Sequence, residues 1–359
     1  MPNMNILRNV RNSITKSKVL SLPTGRKDFI RLDLNESNGI IDNKFIKKLK
    51  NIDQFTISSY PEYDMLYKKL SKYTKQPLKN ICLYNGSDQA IVSISSLLLR
   101  KGDNVVVPTP TFFVYNHFIK ILELKPKEII YKLKDGKFVF PFEETISSLN
   151  QNTKALFLCN PNNPLGVVIP NNQLLTLIQK AAKLSIPIII DEAYYEYYGE
   201  SASKYIKKYK NVIILRTFSK PFGLAGLRLG YVLADQKIIE NLKKIKLPWN
   251  VSHFTVKAGI LALENLDYFK NKISEYKNIK IRFKKELERV ADKVYDSQTN
   301  FLLCKFSNAK RVHAKLKKHG ILTNLIKDYP ASGKLLRNTI RMTVPSKKDY
   351  RKVISVLNR

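Results

Sequence analysis

Lys220 stands in Thr217-Phe-Ser-Lys-Pro-Phe-Gly-Leu-Ala-Gly-Leu-Arg228, with a hydroxyl directly before it and an arginine eight residues after it. An amine in an apolar stretch of chain suits covalent bonding to a carbonyl group, and Ser219 and Arg228 suit a phosphate on the same molecule. Other polar clusters follow runs that read as buried strands. Ile186-Pro-Ile-Ile-Ile190 delivers Asp191 and Tyr194, and Ala155-Leu-Phe-Leu-Cys159 leads into the Pro- and Gly-bounded turn Asn160-Pro-Asn-Asn-Pro-Leu-Gly166. Ligands of open α/β sheets collect at such carboxyl ends. Asp191 suits pairing with a protonated ring nitrogen, while Asn163 and Tyr194 suit bonding to a ring hydroxyl oxygen. Asn85-Gly-Ser-Asp88 opens a helix whose unsatisfied amides make Gly86, Ser87 and Asp88 a phosphate cradle. Past Val105-Val-Val107, Phe112 is placed to stack on a flat ring. Together these groups describe a site for pyridoxal phosphate.

In order and spacing the motifs resemble the fold-type I pyridoxal-phosphate aminotransferases, in particular the histidinol-phosphate aminotransferase group. The resemblance runs from end to end. Asn9-Val-Arg11 and Leu32-Asp-Leu-Asn-Glu36 resemble the amino-terminal arm of that group, and Ile340-Arg341-Met-Thr-Val344 its carboxylate-binding strand. The resemblance implies that Lys220 bonds covalently to the cofactor, that Asp191 pairs with the ring nitrogen, and that Asn163 and Tyr194 hold the phenolate oxygen. It gives the phosphate to Ser219 and Arg228, and through Tyr60-Pro61 it implies a homodimer in which Tyr60 reaches the partner's phosphate. Asn35 and Arg341 fall to the substrate, with Lys327 and Arg337 forming a further basic cluster for an anionic, phosphorylated end. An amino donor such as glutamate and a keto acid such as 2-oxoglutarate are the expected partners.

Some residues depart from the family pattern. Ser37-Asn-Gly-Ile40 follows Asn35-Glu36 where a proline and an aromatic are usual, Lys327 stands where an arginine is usual, Leu165 replaces a threonine, and Phe112 replaces a tyrosine. None removes a charge that the cofactor chemistry needs, but the first two bear on the substrate. Decarboxylation of an O-phospho amino acid on the same scaffold therefore stands as the alternative to transamination.

Strand and helix patterns alternate to about residue 245, the signature of one large α/β domain. We expect an arm over 1–40, a large cofactor-binding domain with a mostly parallel mixed sheet over 41–250, and a smaller α/β domain over 251–359. One helix through roughly Val251 to Lys285 is expected to join the two larger parts. The excess of 63 Lys and Arg over 29 Asp and Glu gives +34, spread along the whole chain. That spread reads as compositional habit and not as a nucleic-acid face, although the field favours anionic small molecules. Cys82, Cys159 and Cys304 sit in or beside apolar runs and read as reduced packing residues of a cytoplasmic protein. The first 27 residues carry no acid, but Asn9-Val-Arg11 marks them as a mature arm and not a transit peptide. The four histidines lack ligand spacing, so no metal is expected. Trp249 is expected at the pocket's edge or packed at the domain junction.

Overall fold

The computed structural model describes residues 10–19, 23–50, 53–326 and 335–358. The arm supplies a short strand, β1 (Ile30–Leu32). The chain then forms β2 (Ile81–Asn85), β3 (Asn104–Thr109), β4 (Lys125–Ile130), the hairpin β5 (Lys132–Lys134) and β6 (Lys137–Val139), β7 (Thr153–Cys159), β8 (Ile188–Asp191), β9 (Val212–Thr217) and β10 (Leu229–Leu233). Among the described residues, seven of these make one sheet in the order β2-β10-β9-β8-β7-β3-β4. Strand β10 runs antiparallel to its neighbours β2 and β9; the pairings among β4, β3, β7, β8 and β9 are parallel.

The central strands are apolar through most of their length because both faces are covered. Ile188 and Ile190 join Leu156, Leu158 and Ile214 on one face, while Ile189 joins Ala155, Phe157 and Ile213 on the other. Each such buried side chain contributes about 1.5–3 kcal/mol, and the buried Arg216 within β9 is accommodated by its pair with Glu192. The helix Asn171–Lys183 covers one face through Leu174, Leu177, Ile178 and Ala181, spaced three and four apart.

A second sheet holds β11 (Lys293–Val294), β12 (Phe301–Lys305), β13 (Ile321–Leu325) and β14 (Thr339–Thr343). Among the described residues its order is β1-β13-β14-β12-β11, with β1 parallel to β13. The arm thus completes the small sheet. The single joining helix expected over 251–285 is instead two, His253–Glu264 and Leu266–Leu287, broken at Asn265 where ψ turns to 38°. Their packing partners explain the break. The first lies against the helices Asp64–Thr74, Asn43–Leu49 and Gln54–Ser58, and the second against β12 and the helix Tyr350–Asn358, so one straight rod would miss one set of contacts. Among the described residues no helix is long and apolar enough to cross a membrane, and no group of three His, Cys, Asp or Glu is placed to hold a metal ion.

Candidate active site

The carboxyl ends of β7, β8 and β9 face a cavity of about 840 Å³, closed on its other sides by the start of the helix Gly86–Leu98, the arm and β14. Asp191 is the last residue of β8 and is buried. Its two oxygens accept from the Ala193 N–H at 2.9 Å and the Tyr115 hydroxyl at 3.0 Å. Burial nevertheless pushes its carboxyl up to about 6, because charge is costly in a dry setting. A cationic ring nitrogen would reverse that push. The neighbouring Glu192 faces elsewhere and forms a fully buried pair with Arg216 at 3.0 Å, so one carboxylate of the adjacent two serves the cavity and the other the scaffold.

Lys220 follows β9 by three residues and lines the cavity. Burial and the positive Arg341 lower its amine from 10.5 to about 8. Its Nζ donates to the Leu34 carbonyl at 2.7 Å, so the arm reaches the lysine within one chain.

The phosphate cradle is built from an uncapped helix start. Asn85 makes no side-chain cap, which leaves the first amides of Gly86–Leu98 without that partner. Gly86 has φ +75°, and a Cβ there would lie 2.3 Å from Arg228 Nη2; a Cβ on Gly230 would lie 2.6 Å from the Ser87 nitrogen. Both glycines keep the space in front of those amides open. Arg228, itself left-handed at φ 54°, donates to Ser219 Oγ at 3.3 Å and pairs with Asp88 at 3.1 Å. Asp88 therefore enters the cradle differently from Gly86 and Ser87. Its carboxylate repels phosphate and steadies Arg228.

Asn163 and Arg341 join the cofactor side to the substrate side. Arg341 is buried in the middle of β14, and its Nη1 donates to Asn163 Oδ1 at 2.5 Å while Nη2 donates to the Asp33 carbonyl at 2.7 Å. The Asn163 amide donates to Tyr194 Oη at 3.4 Å, and the Asn35 amide donates to the same oxygen at 2.8 Å. Phe112 precedes the helix Phe113–Ile121 and lines the opposite wall.

The cavity thus gathers Asn35, Ser87, Asp88, Phe112, Asn163, Asp191, Tyr194, Ser219, Lys220, Arg228 and Arg341, with Gly86 directly behind Arg228. Arg337 is exposed in the turn ahead of β14 and is not among the lining residues; the strand that carries Arg341 inward begins only at Thr339. Lys327 lies outside the described residues, as does Asn9. Tyr60 does not reach the cavity of its own chain; it is 72% exposed and stacks on Trp249, itself 54% exposed, with ring centroids 4.3 Å apart. Trp249 is accordingly neither at the pocket edge nor packed in the junction. Sequence reasoning missed Tyr115, Thr217, Glu36 and Asn324, of which Tyr115 alone gave a signal, one helical turn after Phe112. A planar ring with a phosphate, a phenolate oxygen and a basic nitrogen finds a matching group for each feature.

The family model described as "Aminotransferase class I and II" matches residues 27–357. Two relatives named histidinol-phosphate aminotransferase, from Caldanaerobacter subterraneus subsp. tengcongensis and Thermoanaerobacter sp., are 33% and 34% identical, each over 95% of both chains. Among solved structures, a histidinol-phosphate aminotransferase from Sinorhizobium meliloti in complex with pyridoxal-5'-phosphate shares the fold with a TM-score of 0.85 at 22% identity, over 99% of each chain. One from Clostridium acetobutylicum gives 0.80 at 24% identity, over 91% of this chain and 98% of the other.

Proposed function

Because the chain belongs to the class I and II aminotransferases, enzymes of pyridoxal phosphate, we propose that it moves an amino group between a phosphorylated amine of the histidinol-phosphate kind and a keto acid such as 2-oxoglutarate. One observation carries the reading. Arg341, a buried planar cation able to take a carboxylate in two parallel hydrogen bonds, stands against Asn163 in the cavity that Lys220 and Asp191 also line. The relatives' shared name over nearly their full length supports the phosphorylated substrate.

When bound, the cofactor supplies an electron sink for charge developing at the substrate carbon. Asp191 would keep the ring nitrogen protonated, and Asn163 and Tyr194 would hold the ring oxygen. The amides of Gly86 and Ser87, with Ser219 and Arg228, neutralise the phosphate. The Lys220 amine, at about 8, is neutral often enough near neutral pH to bond to a carbonyl, and when released to take a proton from the substrate carbon. Arg341 would hold the donor carboxylate through two parallel hydrogen bonds. The enzyme acts as a cytoplasmic homodimer in which the exposed Tyr60 ring completes the partner's phosphate site.

The test is to supply phosphorylated histidinol, serine and threonine separately, with and without 2-oxoglutarate. Glutamate formed from 2-oxoglutarate with phosphorylated histidinol is the expected result. Release of carbon dioxide from a phosphoamino acid without any keto acid overturns it. Sedimentation showing a fully active monomer removes the role given to Tyr60.

A further inference from the structure

The arm segment Asp33–Ser37 touches two of the three cations that line the cavity. The carbonyl of Asp33 accepts from Arg341 and the next carbonyl, that of Leu34, accepts from the Lys220 ammonium, each at 2.7 Å. Asn35 then turns the chain through a left-handed conformation, φ 56°, a region that Asn enters more readily than other residues with a Cβ. Several bonds hold that turn in place. The Asn35 amide nitrogen donates to Thr343 Oγ1 at 3.1 Å, its side chain reaches Tyr194, and its carbonyl accepts from Asn300 Nδ2 at 3.0 Å.

Ser37 closes the loop onto the lysine itself. Its hydroxyl donates to the Lys220 carbonyl at 2.5 Å and accepts from Asn300 Nδ2 at 3.1 Å. The Tyr197 hydroxyl lies 2.6 Å from Ser37 Oγ and 3.0 Å from the same Lys220 carbonyl. Ser37 and Tyr197 are both buried, and nothing in the cofactor or substrate contacts described above uses either of them. The sequence departs from the family pattern at this place, where Ser37-Asn-Gly stands in the stretch after Asn35-Glu36.

We propose that Ser37 and Tyr197 are positioning residues for Lys220: they fix its peptide from behind, so that its side chain swings between the cofactor and a resting place on the Leu34 carbonyl. The two hydroxyls set the direction from which the lysine leaves the backbone, and the carbonyl ahead of it holds the ammonium after proton uptake. Arg341 rests on the adjacent carbonyl, so the same short stretch of arm sets the spacing between the proton-moving amine and the carboxylate-holding cation. The assignment rests on the role given above to Lys220.

The experiment compares Ser37→Ala, Tyr197→Phe, the double variant and Ser37→Thr. One readout is the rate at which cofactor-stripped protein captures pyridoxal phosphate covalently, followed by visible absorbance; it needs no amino donor and so stands apart from the substrate reading. The other is kcat against KM for the donor. Each single variant is expected to slow capture and kcat by about fivefold, the worth of one neutral hydrogen bond, with KM within about twofold. The double variant falls further, and Ser37→Thr, which keeps the hydroxyl, recovers most of the loss. Capture and kcat within about twofold of the starting protein in the double variant overturn the proposal. So does a loss that Thr fails to recover and that raises KM in step, since that pattern belongs to a general loosening of the fold. If the starting protein captures cofactor normally but turns over no phosphorylated amine, the substrate reading fails and the positioning of Lys220 stands.

Discussion

The two sheets contribute to one cavity in different ways. In the large sheet the polar groups come at or just past strand ends, as with Asp191 at the end of β8 and Lys220 three residues after β9, where the side chains face the cavity. In the small sheet Arg341 is mid-strand, buried between residues that form the core, and is tolerated because Asn163 and the Asp33 carbonyl accept from it. The first arrangement is a property of single segments. The second exists only once the arm, the Asn160–Gly166 turn and β14 have come together. The cofactor side is therefore built on one rigid layer, and the substrate side on contacts between layers, where a change of residue alters specificity without undoing the sheet.

That contrast is testable by asking which substitutions affect cofactor and which affect substrate. The largest effect belongs to Lys220→Ala, which should abolish covalent capture and lower turnover by at least about 10³-fold; Asp191→Asn should keep the cofactor yet cost about 10²–10³ in kcat. Normal multiple turnover by the Lys220 variant would falsify the large-sheet assignment. On the other side, Arg341→Gln should raise KM for the carboxylate donor by about 10²-fold, in line with loss of a buried charge-assisted pair, and change cofactor affinity far less, while the Lys220 amine, relieved of a nearby cation, moves up. An Arg341 variant that loses cofactor as readily as substrate would erase the distinction between the sheets. Gly86→Ala, which puts a methyl against Arg228 and asks a left-handed conformation of alanine, should weaken cofactor affinity about tenfold, read as the dissociation constant from titration of stripped protein.

The smallest effect, and the sharpest in direction, concerns pH. Lys220 is a base with a lowered pKa, so its reactive neutral form is absent well below about 8 and dominant above it. Capture of pyridoxal phosphate by stripped protein should rise about tenfold per unit through the acidic side and level off above about pH 8. A rise continuing to the ordinary lysine range of about 10.4 would mean that the dry setting of Lys220 is not kept in solution.

Most of the large-sheet half was legible in the sequence, since a buried strand followed by a polar cluster is a local pattern. The contacts that make the cavity work were not. Arg341 and Asn163 are 178 residues apart, Ser37 and Lys220 are 183 apart, and Tyr115 and Asp191 are 76 apart. No spacing rule connects them; Ser37 reaches Lys220 because β1 adds to the small sheet and brings the arm to the cavity, and the other two pairs meet because separate elements converge there. Arg337 illustrates the limit in the other direction. Four residues from Arg341 and of the same type, it falls in the turn before the strand and so has no inward face.

Each terminal nitrogen of Arg341 has an acceptor and carries a second N–H, so an incoming anion meets a fork whose orientation Asn163 and Asp33 already fix. A planar oxyanion matches such a fork with two parallel hydrogen bonds. A halide presents one centre and gains nothing from the fork's planarity. The arginine thereby acts as a valence filter in a protein whose net charge of +34 draws in anions of every shape: sodium chloride should compete weakly at this position beyond general screening, while small dicarboxylates without an amino group should compete well.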